Sequence, residues 1–322
     1  MRIFPVLVLF VLLAACQSPE PESGSAPTVE PSELQKILRN AKRIVSQEGW
    51  FEILKLPNDV YALWEPGHVE KVNSFLIIGR DRDLLYDTGM GIASVHHALA
   101  DIRAAENLPE KPLIVINSHN HLDHNGGNRE FNEVFTADVD WARRRLTLRV
   151  PAADFVAYWD QLTNHPGTKT PANFDPAKHV IPPYPLEQVR YLNEGDVVEL
   201  GNRRFSVIRT YSHSPDGIAL YDREAELFFG GDTFYGPDYL ITDLSLLAKD
   251  LQRVAPLPVR WHYASHGLQL IAAMKHGEHL VAVERMLHGE GESESQVFAG
   301  VTLPVQRLDG VKVTVAPELL LY

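Results

Sequence analysis

The 322-residue sequence has a single cysteine, Cys16, and a shortage of positive charge. One cysteine excludes a disulfide within the chain. The 42 acidic residues outnumber the 30 basic ones and give a formal net charge of −12. Because nucleic-acid binding normally requires a basic surface, this balance argues against nucleic acid as a partner.

A hydrophobic run long enough to cross a membrane is also lacking at the N-terminus. The apolar stretch 3–13 is shorter than the roughly 20 residues that span a bilayer, so it predicts an export signal. It leads into Leu13, Ala14, Ala15 and Cys16, and small residues before a lone cysteine resemble the lipobox of bacterial lipoproteins. That resemblance implies cleavage before Cys16 and acyl chains on its thiol and new amine. The alternative is an ordinary signal peptide with an incidental cysteine.

The domain organisation follows from this beginning. Residues 1–15 are the predicted lipoprotein signal, and residues 16–33, rich in Pro, Ser and Glu, form a predicted disordered tether. Residues 34–322 form one predicted globular domain, which begins with a helix over 34–45. We expect Cys16 to anchor this domain on the bacterial cell envelope, facing the periplasm from the outer membrane, since several acyl chains hold a protein stably. The oligomeric state is not predicted.

The first half of the domain has an α/β pattern. Residues 72–91 read as a β-hairpin with Asp87 near its end, residues 92–106 as a helix, and residues 113–117 as a buried strand. Strands that alternate with helices predict an α/β fold with functional groups at the strand ends.

The stretch SHNHLDHNGG follows that buried strand directly. His119 and His121 are two residues apart, so in an extended segment both side chains leave on one side. Asp123 and His124 come next and suit a second, adjacent cation. The glycines at 126 and 127 let the backbone turn tightly beneath these side chains.

Three more candidate metal ligands each follow a predicted strand: His213, Asp232 and His266. Nitrogen and carboxylate ligands without thiolate suit zinc, with iron or manganese as alternatives. Zinc lowers the pKa of a bound water from about 15.7 to about 7 and so supplies hydroxide at neutral pH. The pattern therefore predicts a hydrolytic centre with two Zn²⁺ ions.

The motifs VNSFLIIG…LLYDTG, HNHLDH, SHSPDGIALY, FFGGDT and ASHG occur in that order and resemble the metallo-β-lactamase superfamily. The resemblance implies an αββα sandwich with the metals at the edge between two mixed β-sheets. It assigns His119, His121 and His213 to the first metal. It assigns Asp123, His124 and His266 to the second metal, with Asp232 as a bridge and Asp87 as a support for the metal histidines.

Details of these motifs favour one branch of the family. Members that hydrolyse β-lactams usually carry Cys or Ser where this chain has Asp232, and a bridging aspartate is more typical of thioesterases, lactonases, sulfatases and phosphodiesterases.

Tyr235 resembles a lactonase tyrosine that contacts the substrate carbonyl, although an aromatic residue packed in a loop explains it equally well. Asp123 and Tyr235 are the predicted catalytic residues. We expect cleavage of a small-molecule substrate that is an ester, lactone or thioester. The alternatives are β-lactamase-type amide hydrolysis, phosphodiester or sulfate ester hydrolysis and, least favoured, non-catalytic binding.

Residues 131–188 make the spacing between His124 and His213 long for the family. We call this segment the insertion. We expect it to form either a lid over the metals that selects the substrate or helices that cover the sheet edge. Arg143, Arg144 and Arg145 are interpreted as a solvated helix face, with attraction of an anionic substrate as the alternative. His276 and His279 are interpreted as surface residues.

Overall fold

The computed structural model describes residues 33–234, 236–267, 271–272, 275–298 and 301–320. The predicted signal, Cys16 and almost all of the predicted tether lie outside the described residues, as does Tyr235. Among the described helices, none combines the length and the apolar character that a membrane crossing needs.

Eight α-helices lie in the described part of the chain. They are α1 (Glu33–Asn40), α2 (Val95–Glu106), α3 (Leu122–Asn125), α4 (Asp140–Thr147), α5 (Ala152–Trp159), α6 (Leu244–Val254), α7 (His276–Leu287) and α8 (Pro317–Leu320).

The first sheet has eight strands and is mixed. Its strands are β1 (Lys42–Val45), β2 (Glu52–Leu56), β3 (Val60–Trp64), β4 (Asn73–Ile77), β5 (Asp83–Tyr86), β6 (Leu113–Ile116), β7 (Val134–Ala137) and β10 (Val189–Leu192), in that order across the sheet. Strands β1 to β5 pair antiparallel, and β5, β6, β7 and β10 pair parallel.

The second sheet has six strands. They are β11 (Val197–Glu199), β12 (Arg204–Thr210), β13 (Gly217–Asp222), β14 (Leu227–Phe229), β16 (Trp261–Tyr263) and β17 (Ile271–Ala272). Two smaller sheets complete the fold. One comprises β15 (Asp238–Ile241), β20 (Val311–Val315), β19 (Val301–Leu308) and β18 (Glu292–Phe298), and the other β8 (Val150–Pro151) with β9 (Val180–Ile181).

The two large sheets pack face to face. Successive side chains of a strand point to opposite faces, so each strand contributes to two different cores. In β4, Phe75 and Ile77 enter the core shared with Phe205 and Phe229 of the second sheet. Leu76, between them, enters a separate core on the outer face of the first sheet. Both faces of the sheet are therefore buried.

Helices cover the outer face of each large sheet. Leu99 and Ile102 of α2 pack on the outer face of the first sheet, while Leu251 of α6 and Val283 of α7 pack on the outer face of the second. The Ser94 side chain begins α2 by accepting a hydrogen bond from the backbone N–H of His97 at 3.1 Å. The layers are helix, sheet, sheet, helix, which confirms the predicted αββα sandwich.

The predicted first helix is too long. Helix α1 ends at Asn40, and Lys42–Val45 instead forms an edge strand, with Ile44 opposite Ile53. The apolar spacing of this segment fits a helix, but its β-branched residues also fit a pleated sheet surface. Pairing with β2 decides the outcome.

The insertion packs on the first sheet. Tyr158 and Trp159, at the end of α5, and Tyr184 are buried in the outer core of that sheet. The segment therefore covers the sheet as folded structure. That it also selects the substrate stays a prediction.

Candidate metal centre

The carboxyl ends of four strands meet at one edge of the sandwich. Strands β14 and β16 are parallel, and β12 and β14 are both antiparallel to β13, so β12, β14 and β16 run in the same direction. His213, Asp232 and His266 follow these three strands. The loop after β6 reaches this edge from the first sheet. It contacts the second sheet through a hydrogen bond from the backbone N–H of Ile218, in β13, to the Ser118 carbonyl oxygen at 2.7 Å.

That loop turns into the short helix α3, which carries Asp123 and His124. The glycines that follow have ordinary backbone angles: φ is −59° at Gly126 and −90° at Gly127. A Cβ at Gly126 would overlap the backbone carbonyl group of Met90, and one at Gly127 would overlap that of Thr88. The paired glycines are therefore needed for close backbone approach, and the predicted tight turn was the wrong reason for them.

Three histidines form the first group of candidate ligands. His119 Nε2 lies 2.9 Å from His121 Nδ1, which lies 3.1 Å from His213 Nε2. All three side chains are buried. Their nitrogen atoms converge on one point, in an arrangement that could hold a metal ion.

A second group lies beside the first. His124 Nε2 is 3.2 Å from Asp123 Oδ2, and His266 Nε2 is 3.4 Å from the same oxygen. These three residues could also hold a metal ion. All are buried, so the protein keeps two carboxylate oxygens and two imidazole nitrogens away from bulk water.

Asp232 lies between the two groups. Its Oδ1 is 3.3 Å from His124 Nε2, and its Oδ2 is 3.0 Å from His266 Nε2 and 3.6 Å from His213 Nε2. One carboxylate therefore borders both groups. All seven ligands predicted from the sequence are brought together.

Every ligand histidine is oriented through its other ring nitrogen. The partners are Ser118 Oγ for His119 at 3.0 Å, the Leu320 carbonyl oxygen for His121 at 3.0 Å, Asp87 Oδ2 for His124 at 2.9 Å, the Leu240 carbonyl oxygen for His213 at 2.9 Å and the Glu70 carbonyl oxygen for His266 at 2.7 Å. Such partners fix the ring orientation and the tautomer of a metal-binding histidine. His121 thus presents Nδ1 to the centre, whereas the other four present Nε2.

Asp87 joins the hairpin after β5 to the ligand loop. Its carboxylate accepts hydrogen bonds from the backbone N–H of Ser118 at 2.6 Å, the Ser118 hydroxyl at 2.8 Å and His124 Nδ1 at 2.9 Å. Asp87 is buried and has a φ of 66°. It occupies the supporting position that the resemblance implies.

Two supports of the ligand loop were not predicted from the sequence. Asp216 accepts hydrogen bonds from the Asn120 backbone N–H at 3.0 Å and from Asn120 Nδ2 at 2.7 Å. Arg145 donates through Nε to the Asn120 carbonyl oxygen at 3.3 Å, and its guanidinium lies over the ring of Trp141. The interpretation of Arg145 as solvated is therefore wrong. The spacing of Trp141 and Arg145, four residues apart on α4, is the signal that could have revealed it.

His276 also departs from its interpretation as a surface residue. It is 3% exposed and packs against the rings of Phe228 and Phe234, with centroid distances of 5.3 and 5.4 Å. His279 is partly buried and lies within hydrogen-bond distance of the Tyr239 hydroxyl, at 2.7 Å. These residues form part of the packing on the outer face of the second sheet.

The two groups of candidate ligands differ in charge. Burial and the neighbouring histidines lower the pKa of His119 well below its ordinary value and that of His121 to about 3, so both rings are neutral. Burial opposes the charge on His266, but Asp232 and then Asp123 outweigh it and raise the pKa of His266 to about 9. Neutral imidazoles are good ligands, and the carboxylates make the second position attractive to positive charge.

The residues fit divalent metal ions. His124 Nε2, both carboxylate oxygens of Asp123 and Asp232 Oδ1 are buried and make no hydrogen bond to the described residues. Buried polar atoms are rarely left in this state. Here they surround common points, as the donor atoms of a metal site do, and nitrogen with carboxylate suits zinc, iron or manganese.

The family model of the metallo-beta-lactamase superfamily matches residues 68–288, which is more than half of the chain. The chain belongs to the metallo-beta-lactamase superfamily. The matched region begins in the loop after β3 and ends after α7, so it includes all seven candidate ligands. The small sheet strands β18 to β20 and α8 lie beyond it.

Two similar curated proteins are acyl-coenzyme A thioesterases named MBLAC2. The Gallus gallus protein is 31% identical over 193 residues, which cover 58% of this chain and 66% of that protein. The Homo sapiens protein is 28% identical over 196 residues, which cover 58% and 67%. The match thus spans about two thirds of the length of these relatives.

Solved structures of the superfamily are also similar. The B3 metallo-beta-lactamase BLEG-1 is 23% identical, with 66% of this chain and 94% of that chain covered and a TM-score of 0.45. A family protein from Thermus thermophilus is 21% identical, with 74% and 85% covered and a TM-score of 0.49. Superfamily membership, the thioesterase relatives and the candidate ligands together support a metal-dependent hydrolase.

Proposed function

We propose that this protein is a dinuclear zinc hydrolase that cleaves thioesters, with esters and lactones as related substrates. The observation that carries the proposal is the convergence of seven buried histidine and aspartate side chains into two adjoining groups. The thioester is favoured because the similar curated proteins are acyl-coenzyme A thioesterases.

In the proposed site, His119, His121 and His213 would hold the first zinc. Asp123, His124 and His266 would hold the second zinc, and Asp232, whose carboxylate borders both groups, could contribute to either. The support for this division is geometric, since each set presents ring nitrogens or carboxylate oxygens within a few ångströms of one another.

Two divalent cations bound here would activate a water molecule for attack and polarise the carbonyl group that is attacked. The chain itself supplies orientation and exclusion of bulk water. Burial opposes ionisation of Asp123, but His124 and His266 outweigh it and hold the pKa of Asp123 at about 2. Asp123 is therefore ionised and can accept a hydrogen bond. Its proposed catalytic role is to orient the attacking water through that bond.

A hydrolase panel run with and without a chelator tests the proposed function. We expect acyl thioesters to be cleaved, the chelator to abolish cleavage and zinc to restore it. His121→Ala should lose almost all activity, while His288→Ala, a substitution of an exposed histidine outside the cluster, should retain it. Turnover of cephalosporins or carbapenems without turnover of thioesters would assign the amide-hydrolysing alternative instead.

Metal analysis tests the dinuclear zinc separately. We expect about two zinc ions per chain in protein prepared with zinc, as two-metal hydrolase sites contain. Iron or manganese in place of zinc would correct the metal and leave the hydrolase standing. A content well below about one ion per chain would refute the proposed centre.

We also propose that the protein is a lipoprotein anchored through Cys16 at the bacterial cell envelope. The support is the lipobox-like sequence alone. Cys16→Ser should block acylation and move the protein from the membrane fraction to the soluble fraction. Retention of the Cys16→Ser variant in the membrane fraction would contradict the anchor.

A further inference from the structure

One loop contacts both the metal centre and the insertion. It comprises residues 65–72, joins β3 to β4, and is called the bridging loop here. At the metal centre, His266 Nδ1 donates to the Glu70 carbonyl oxygen at 2.7 Å, and the Gly267 backbone N–H donates to the Lys71 carbonyl oxygen at 3.0 Å. Val72 pairs with His266 as an isolated β-bridge. The loop therefore holds the backbone and the ring of His266.

The same loop holds the insertion. The Val69 backbone N–H donates to the Gln161 carbonyl oxygen at 3.1 Å, and the Thr163 N–H donates to the Gly67 carbonyl oxygen at 2.8 Å. Residues 68 and 162 form a second isolated β-bridge. The segment that follows α5 is thus fixed to the bridging loop by backbone pairing.

His68 lies at the centre of these contacts. Its Nδ1 accepts a hydrogen bond from the Glu70 backbone N–H at 3.2 Å, so its Nε2 carries the proton and donates to the Tyr158 carbonyl oxygen at 2.8 Å. The His68 ring also packs edge-on against the Tyr158 ring, with centroids 5.2 Å apart. A connected path of hydrogen bonds therefore runs from His266 through Glu70 and His68 to Tyr158.

The Glu70 carboxyl group and the Tyr158 hydroxyl lie beside this path. Both carboxyl oxygens of Glu70 and the Tyr158 hydroxyl are buried, and neither group has a hydrogen-bond partner within the described part of the chain. The charges of Asp123 and Asp232 act on both groups. The path from His266 to Tyr158 therefore runs beside buried polar groups that lie in the electrostatic field of the candidate metal ligands.

We propose that His68 is a positioning residue that couples docking of the insertion to cation binding at the second metal position. Each event stabilises the other, because a coupling free energy acts equally in both directions. A cation that fixes His266 and the bridging loop favours the docked insertion. A docked insertion in turn holds His266 in the orientation that binds the cation.

Three substitutions of His68 separate the two hydrogen bonds. His68→Asn keeps an acceptor near the position of Nδ1 and removes the bond to Tyr158. His68→Gln keeps a donor near the position of Nε2 and removes the bond from the Glu70 N–H. His68→Ala removes both bonds. The two amide variants provide results even if the alanine variant fails to fold.

The experiment uses zinc chloride as the probe and has two readouts besides activity. Trypsin cleavage after the exposed residues Lys169 and Lys178 reports opening of the insertion, and cleavage after Lys249 on α6 reports global unfolding. Competition with a chelator gives the zinc affinity of the weaker and the tighter site.

In the wild-type protein, zinc should slow cleavage at Lys169 and Lys178 by about 5- to 150-fold, the range of a typical coupling. This slowing is counted after division by any slowing of cleavage at Lys249. All three variants should lose most of this protection and should bind one of the two zinc ions more weakly by a similar factor. Full protection and unchanged affinity in His68→Asn and His68→Gln would overturn the inference.

The inference rests on the proposed cation binding and not on the substrate. Wild-type protein that binds no zinc would refute the proposed function. Wild-type protein that binds zinc and cleaves thioesters, but shows no zinc-dependent protection of the insertion, would refute the coupling alone.

Discussion

Asp87→Asn is the substitution that tests the support of the metal centre most directly. The change preserves shape and suits the left-handed backbone at this position, which asparagine tolerates well. It removes a negative charge that accepts three hydrogen bonds from Ser118 and His124. An asparagine amide has one acceptor oxygen, so its NH₂ group must face a donor that the carboxylate satisfied.

The magnitude follows from the bond to His124. A buried hydrogen bond to a charged group contributes about 1.5–3 kcal/mol. Because about 1.4 kcal/mol corresponds to a tenfold change in an equilibrium constant, weaker orientation of His124 should reduce zinc affinity by about 10- to 100-fold. The loss should fall on the ion held by Asp123, His124 and His266, since His124 lies in that group.

Zinc affinity measured by chelator competition checks this prediction. Asp81→Asn is the matched control, because Asp81 is an exposed aspartate in the turn of the same hairpin and is paired with Arg80. The control should bind zinc as the wild type does. Equal zinc affinities for wild type and Asp87→Asn would show that Asp87 does not support His124.

Three further predictions concern pH, the C-terminal helix and the insertion. Burial raises the pKa of Glu65 to about 7, so the metal-free folded state binds this proton more tightly than the unfolded chain, and stability falls as pH rises toward 7. Gln does not titrate, so Glu65→Gln should not share this loss. In urea unfolding with chelator, the free energy of unfolding of Glu65→Gln minus that of the wild type should increase by about 3 kcal/mol between about pH 4 and about pH 8. Deletion of residues 317–322 removes the carbonyl bonded to His121 and should weaken zinc binding by about 10- to 100-fold in the same competition assay, whereas Val281→Ala, a change of an exposed residue on α7, should not. Trp159→Ala should lower the free energy of unfolding in urea by about 3–5 kcal/mol, because this side chain is fully buried, and a much smaller loss would show that the insertion is not part of the core.

The candidate ligands could be found from the sequence because each is tied to a local signal. His213, Asp232 and His266 each follow a short apolar strand, and the strand ends are visible in the residue pattern. Parallel direction of β12, β14 and β16 then brings those ends to one edge. A ligand at a strand end is therefore placed by the fold class alone.

The partners that orient the ligands could not be found in the same way. Three of the five are backbone carbonyl groups, those of Glu70, Leu240 and Leu320. Every residue has a carbonyl group, so no residue type marks the ones that matter. Leu320 also lies 199 positions from His121, and only the tertiary fold brings them together.

Two charged or polar segments were interpreted wrongly from the sequence. Arg145 belongs to a run of three arginines, yet the turn of α4 carries it over Trp141 to the ligand loop. His276 begins α7 and faces Phe228 of the second sheet and Phe234 in the loop after it. In both cases the identity of the face that packs inward depends on neighbouring elements that the local pattern does not contain.

The burial of the candidate ligands has a kinetic consequence. None of the seven side chains belongs to a residue more than 6% exposed, so several buried contacts would have to break before a bound ion could leave. A chelator should therefore remove ions from this centre more slowly than from an exposed surface site. The time of incubation with chelator would then decide how far treated and untreated samples differ in an activity assay.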